Sequence, residues 1–581
     1  MTGAVLAPDT QQRPLLSHRQ ILAIFAGLMA GMFLAALDQT IVATSVRTIA
    51  DDLNGLSLQA SVTTAYLITA TVTTPLYGKL SDLYGRKPLF LFAISVFMVG
   101  SLACMFAQSM YQLAAFRAIQ GLGAGGLFSL AMTIIGDIVS PRERARYQGY
   151  FVAVFGTSSV LGPLVGGFLA GQHEILGITG WRWVFGINLP IGFLALAIVA
   201  RVLNIPFTKR EHRIDWPGAV ALTFGLVPLL LVAEQGRDWG WLSGRSLLCV
   251  GVGAAGLVAF LFAERAYGDD ALLPLRFFRV RVFGLGTLAS LLVGMGMFGA
   301  MAAVPLYLQI VRGVTPTQSG LLTLPMVLGI MSMSITSGRV ISRTGRLKMW
   351  PVLGVSLMVV GLLLLSRIGV DTPYLQVGLG MIVFGWGLGA VMQPLTLAVQ
   401  NSMPARDMGV ATASATFFRQ LGGTLGTAVF LSILFSTVGD KIAAAFRVAA
   451  GTPAFQAALA DPAVRADPAN AGVRSALSSP GGVGSISLDN SSFIQQLDPR
   501  LARPFLEGFA GSMTLMFLTG AAVLVLGLVL VVLIPEVPLR QVSGLEAQRS
   551  APVGSEPAGP NAVPPVAEPI VESALTSRPS G

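Results

Sequence analysis

The most constraining feature of the chain is a series of apolar stretches long enough to cross a lipid bilayer, among them the run from Ile21 to Leu37 and that from Ala521 to Ile534. Hydrocarbon offers no water to a backbone N–H or C=O, so a crossing segment must bond its own backbone as a helix or belong to a closed barrel. Barrel strands alternate apolar and polar residues over about 10 positions, whereas these two runs are unbroken over 17 and 14 positions within longer apolar segments. The chain therefore reads as an all-α membrane protein. Composition agrees: 53% of the 581 residues are hydrophobic and 11% charged, against about 25% charged in a soluble domain.

Apolar stretches bounded by charges place fourteen transmembrane helices near 20–44, 59–78, 88–107, 111–136, 148–170, 183–204, 217–235, 245–263, 283–307, 319–338, 349–366, 374–399, 409–436 and 508–534. With both termini cytoplasmic, the N-terminal tail and the six short loops on that side carry 20 Lys and Arg, among them Arg142, Arg144, Arg146, Lys209, Arg210, Arg276, Arg279, Arg343 and Arg346, and the short outer loops carry five. This asymmetry fits the positive-inside rule and accounts for the net charge of +10 without a nucleic-acid partner. The first run leads into Leu37-Asp38-Gln39-Thr40 with no small-residue cleavage site, and is read as a retained span rather than a signal peptide. Cys104 and Cys249 lie in apolar runs and His18, His173 and His212 in separate loops, so neither a disulfide framework nor a metal site is expected.

Two polar regions stand apart. Residues 438–507 are rich in Ala, Pro, Gly and Ser and face outward between the last two spans, with short helices expected around Ile442–Ala449 and Pro453–Ala460. The tail over 536–581 is too poor in large apolar residues to form a core and is expected to be a disordered cytoplasmic segment.

An isolated charge at the bilayer centre costs about 2.5–3.5 kcal/mol on insertion scales, so charged residues inside spans are functional candidates. Three stand out: Asp38, Arg117 and Arg419. Asp38 is the only acid read as well inside a span and is the candidate proton carrier, the alternative being a carboxylate permanently paired with an Arg or a helix terminus. Arg117, in Arg117-Ala118-Ile119-Gln120-Gly121, has five donors to satisfy and is either the relay partner of that acid or a structural ion pair; Gly121, Gly123 and Gly125 let a neighbouring helix approach. Arg419 is read as snorkelling toward a helix end. The turn Gly78-Lys79-Leu80-Ser81-Asp82-Leu83-Tyr84-Gly85-Arg86-Lys87 sets an acid among cations, as a breakable latch between helices requires. In the fifth span Gly162-Pro163-Leu164-Val165-Gly166-Gly167 combines a missing backbone donor with three small contact residues. The stretches Met295–Met301, Met326–Met333 and Phe384–Met392 offer adaptable apolar side chains for a pocket, or simply for packing, and no individual substrate-binding residue is assigned.

In this order and at these spacings the segments closely resemble the major facilitator superfamily in its fourteen-spanning drug:proton antiporter branch, the EmrB/QacA type. Leu37–Val42, Gly78–Lys87, Arg117–Gly121 and Gly162–Gly167 are similar to signatures of the first span, the loop after the second, the fourth and the fifth, and Trp181–Pro190 and Pro305–Gln309 to further stretches of that branch. Gly338–Arg346 repeats the Gly78–Arg86 pattern with Ser342 in place of the acid, which weakens any latch there, and Ser158 stands where a Gly often begins the fifth-span signature. The resemblance implies a cytoplasmic tail over 1–19, a six-helix bundle over 20–205, an inserted two-helix hairpin over 206–264 and a second six-helix bundle over 265–535. It further implies proton coupling through Asp38 and Arg117, a cytoplasmic gate loop at Gly78, Asp82, Gly85 and Arg86, and antiporter helix packing at Gly162, Pro163, Gly166 and Gly167.

The expected function is export of lipophilic, neutral or monocationic compounds across the bacterial cytoplasmic membrane in exchange for protons, with no cofactor beyond the proton gradient. With one intramembrane acid, dications are expected to be poor substrates. The alternative is a dedicated exporter of one endogenous product: a lipid, a siderophore or a self-made antibiotic. No phosphate loop, metal constellation or Ser/His/Asp set occurs at membrane depth, so an enzyme or ATP-driven pump is not expected.

Overall fold

The computed structural model describes residues 18–53, 58–144, 147–204, 214–404, 407–478 and 491–539. The expectations for the tail before His18, for Arg146, for the loop holding Lys209, Arg210 and His212, and for the tail beyond 539 lie outside these residues.

Fourteen helical columns follow one another: α1 His18–Asp52, α2 Gln59–Tyr84, α3 Arg86–Met105, α4 Met110–Ile138, α5 Gln148–Gly171, α6 Asn188–Val202, α7 Trp216–Trp239, α8 Gly244–Tyr267, α9 Arg281–Leu306, α10 Leu324–Thr344, α11 Met349–Leu365, α12 Tyr374–Asn401, α13 Met408–Ala449 and α14 Pro499–Leu533. Among the described residues, twelve helices are long and apolar enough to cross a membrane, and α11 is a shorter apolar one. α2 is held out of that set by its threonines. Thr69, Thr71, Thr73 and Thr74 each turn their hydroxyl onto the carbonyl four residues back, so a polar sequence still presents satisfied groups. α6 and α10 are each preceded by a short helical piece, Trp183–Gly186 and Pro316–Leu322, so these two columns are interrupted where single spans are expected.

The last two columns outrun their expected ends. α13 continues to Ala449, absorbing the helix expected over Ile442–Ala449, and α14 begins at Pro499 rather than 508, while Pro453–Ala460 is a separate helix as expected. Hydropathy falls at the membrane surface, yet both helices go on because they bury each other there. Phe446 packs edge-on against Phe455 at 5.8 Å and Phe505 at 4.9 Å, and Phe493 meets Phe505 at 5.5 Å. Arg500 ties the long loop to α14 through Asp461 and Asp498, and its hydrogen bonds hold both carboxyls below the usual carboxylate range.

α1 to α6 pack among themselves, as do α9 to α14, and α7 pairs with α8. Across the two groups α2 meets α13 and α5 meets α10. The second helix of each six thus touches the fifth of the other, the reciprocity of two halves related by a pseudo-two-fold axis. The α7–α8 hairpin leans on this seam through α2 and α13. One face of the bundle carries the Gly78–Lys87 turn and is called the basic face; the opposite one carries the long loop.

Candidate transport site

Asp38 and Arg117 meet in the centre of the first half, both essentially without solvent exposure. Arg117 Nη1 donates to Asp38 Oδ2 at 2.5 Å, while Gln120 Nε2 and Asn188 Nδ2 donate to Oδ1 at 2.8 and 2.7 Å. Ser101 Oγ accepts from both amides, and the Tyr66 ring lies under the guanidinium, 4.1 Å from centroid to Cζ. Helices α1, α2, α3, α4 and α6 each supply one or two members. They approach this closely because glycines replace side chains at the crossings. A Cβ on Gly121 would stand 2.4 Å from the Tyr66 carbonyl oxygen, and one on Gly100 2.5 Å from the Gln120 backbone. Burying a carboxylate and a guanidinium is tolerable only when paired and hydrogen-bonded, and here Asp38 has three donors.

Beside this cluster lies a cavity of about 440 Å³ between the halves, in the size range of small-molecule sites, about 300–1,000 Å³. Gln39 forms part of its wall, and its amide lies 3.5 Å from the Tyr66 hydroxyl. Gln39 and Tyr66 therefore stand between the cavity and the Asp38–Arg117 pair, and Asp38 itself does not line it. The cavity runs from Phe128, Met392 and Gln420 at mid-depth to Thr63, Phe435 and Trp241 toward the long-loop face. Of the Met- and Phe-rich stretches, Met297, Phe298 and Met392 line it, whereas Met326 and Phe384 are buried in the second half.

Two expectations are corrected here. Arg419 does not reach a helix end: it sits three turns into α13, in the cavity wall, donating to the Thr396 hydroxyl at 3.2 Å. Nor is Asp38 the only acid at membrane depth. α7 continues past 235 to Trp239, which places Glu234 in the cavity wall with its carboxylate accepting from Thr64 of α2.

Toward the basic face the halves are locked together. Arg86 pairs with Asp82 and, through Nε, with Asp137 Oδ2 at 2.8 Å. Asp82 Oδ2 accepts the Val410 amide at 3.1 Å, at the N-terminus of α13. Gly78 is where α2 crosses α13, since a Cβ there would come within 2.3 Å of Ala413 Cβ. Gly85, at φ 96°, holds the α2–α3 turn in a conformation that only glycine adopts freely. Arg144, read only as a topology charge, spans the halves by donating to the Gln400 side chain and to two carbonyls of the α4 end, Gly136 and Val139. In the second half Gly345 also has a positive φ, 71°, at the corresponding turn, and the Ser342 hydroxyl donates to the Arg339 carbonyl of its own helix at 2.9 Å.

In α5, Pro163 leaves the helix continuous. Gly162 and Gly166 face α1: a Cβ on Gly162 would stand 2.1 Å from Thr40 Oγ1, and one on Gly166 2.9 Å from the Ile41 carbonyl. Gly167 does not take part, its nearest such neighbour being Thr317 at 3.9 Å. Apart from Glu234, the residues that the sequence reading missed are neutral or lie at helix ends: Ser101, Gln120, Asn188, Asp137, Gln400 and Gln420. Asn188 and Gln120 stood inside stretches already noted for other reasons, and that position at membrane depth was the available signal.

Two helical halves around a central cavity, with a buried ion pair in one of them, define a membrane transporter rather than a catalytic enzyme. The chain belongs to the Major Facilitator Superfamily, whose pattern matches residues 28–427. An uncharacterized MFS-type transporter of Mycobacterium tuberculosis is 35% identical over 532 residues, covering 91% of this chain and 72% of its own. The multidrug transporter protein MdtP of Bacillus subtilis is 36% identical over 420 residues, covering 72% of this chain and 76% of its own. The fold is also that of the proton:xylose symporter XylE bound to 6-bromo-6-deoxy-D-glucose, with a TM-score of 0.58 and 14% identity over 92% of this chain and 100% of that one.

Proposed function

We propose that the chain is a proton-coupled exporter of lipophilic small molecules, of the multidrug kind, working by alternating access in the bacterial cytoplasmic membrane with the basic face and both termini inside. The observation that carries this reading is the apolar, aromatic-lined cavity lying one residue layer from a sealed carboxylate–guanidinium pair. The positive-inside distribution of Arg and Lys supports the orientation, and the likeness to the Bacillus multidrug transporter supports the substrate class. No cofactor enters the reading, the proton gradient being the energy source.

On this reading the described conformation is the outward-facing one, with the cavity toward the long-loop face and the basic face closed by the contacts of Asp82 and Arg144. Protonation of Asp38 neutralises the partner of Arg117 and frees the guanidinium to move, and Tyr66 and Gln39 are the groups that pass this movement to the cavity wall. One proton crossing 100 mV supplies about 2.3 kcal/mol, roughly a 50-fold concentration ratio.

The test is ethidium efflux from cells lacking their own pumps, with and without a protonophore, comparing the intact chain with Asp38→Asn at equal membrane abundance. Loss of export under both treatments is expected. Undiminished export by Asp38→Asn excludes the proton-carrier role; a chain that exports no dye at all points to a dedicated endogenous product.

A further inference from the structure

We propose that Glu234 makes the cavity a binding site for lipophilic organic cations, so that the inserted hairpin contributes to substrate recognition and is not a spacer. The proposal deepens the export reading by naming a substrate class and the residue that selects it. Glu234 lies less than two turns before Gly240, where α7 ends, half-buried in the cavity wall. Its carboxylate accepts from a neutral hydroxyl, that of Thr64, and among the described residues no Arg or Lys comes within ion-pair distance of it. A carboxylate accepts about four hydrogen bonds, so most of this group's capacity faces the cavity. Asp38 cannot play this part, because its pair is sealed away from the cavity.

The rest of the wall suits a cation with apolar flanks. Phe128, Phe155, Phe298, Phe435 and Trp241 offer ring faces, whose negative quadrupoles attract positive charge. Arg419 is the other charged residue of the wall, toward the floor. It repels a cation from the closed cytoplasmic end and leaves Glu234, nearer the mouth, as the favourable pole. In a cavity shielded from bulk water these two charges act at a low effective dielectric and so sort ligands by sign more strongly than surface charges do. The expectation that dications are poor substrates rested on Asp38 being the only acid, and lapses with it.

The test uses the full chain in lipid nanodiscs, titrated with tetraphenylphosphonium as the cation and Nile red as the neutral probe. Glu234→Gln is expected to weaken tetraphenylphosphonium binding at least tenfold, about 1.4 kcal/mol, and to leave Nile red binding within about twofold. Glu234→Asp restores most of the loss, and Thr64→Ala, which keeps the carboxylate, retains cation binding. Equal loss of both probes in Glu234→Gln, unchanged cation binding in that variant, or no cation binding by the intact chain overturns the proposal. Binding requires neither a gradient nor a direction, so a chain that binds the cation by Glu234 but does not export it sinks the export reading while leaving this one standing.

Discussion

At Asp38, pairing and the proposed proton carriage use the same atoms, and the two roles predict different outcomes only when both partners are changed. Removing one member of a buried ion pair leaves the other charged and unpaired, at a cost of about 3–5 kcal/mol, whereas a neutral pair of similar shape costs much less. Asp38→Asn should therefore lower thermal stability in detergent by about that amount, since Gln120 and Asn188 cannot neutralise Arg117. Asp38→Asn with Arg117→Gln should recover most of the stability and still fail to export dye on an imposed pH gradient. A recovered double variant that exports on the gradient would mean the pair is only structural. The charged members of this cluster were legible in the sequence because a charge in hydrocarbon is expensive and stands out. Ser101, Gln120 and Asn188 were not, because neutral polar side chains carry no such penalty and acquire meaning only from the carboxylate they surround. Glu234 escaped for a different reason: the polar run Gly236-Arg237-Asp238 looks like a span end, and the helix runs through it.

Among the helices, the contrast within Gly162–Gly167 turns on helical period. Gly162 and Gly166 are four apart and share the face toward α1, where Thr40 and Ile41 leave no room for a Cβ; Gly167 is rotated about 100° away. Gly162→Ala should destabilise the purified protein by about 1–3 kcal/mol through overpacking, and Gly167→Ala should stay within about 0.5 kcal/mol. Thermal unfolding followed by size-exclusion fluorescence distinguishes them, and equal loss in both variants would refute the one-face assignment. The sequence showed that small residues cluster here but not which of them face a partner, because that depends on where α1 lies. The positions of the columns were mostly readable from hydropathy. The outward extensions of α13 and α14 were not, because what prolongs them is mutual burial of Phe446, Phe455 and Phe505 across 59 residues of chain rather than local composition.

For the whole molecule, the described conformation is one of two that the proposed alternation requires, and what holds it are contacts between the halves at the basic face. Asp82 is central. Its carboxylate accepts the Val410 amide at the positive end of α13 while pairing with Arg86, and it can sit there because position 409 is glycine: a Cβ on Gly409 would lie 2.4 Å from Asp82 Oδ1. The gate turn was legible as a motif, but its partner was not. Neither Gly409 and Val410 nor the Arg144–Gln400 bond, 256 positions apart, leaves a trace in a single sequence, since each end is an ordinary loop or helix residue. Asp82→Asn keeps the side-chain shape and removes the charge, forfeiting the charge–dipole term, about 0.3–1 kcal/mol and up to about 2 when partly buried. A shift of about 1 kcal/mol moves a two-state ratio about fivefold, here toward the conformation open at the basic face. In a Cys104→Ala, Cys249→Ala background, Ser432→Cys reports on the outer cavity wall and Gln393→Cys on the side near Arg144. Adding Asp82→Asn should slow labelling of the first by an impermeant maleimide from outside and speed labelling of the second from inside, by a few fold each. If both rates rise together the halves have loosened rather than rocked, and the lock would be a stabilising contact with no part in choosing between two states.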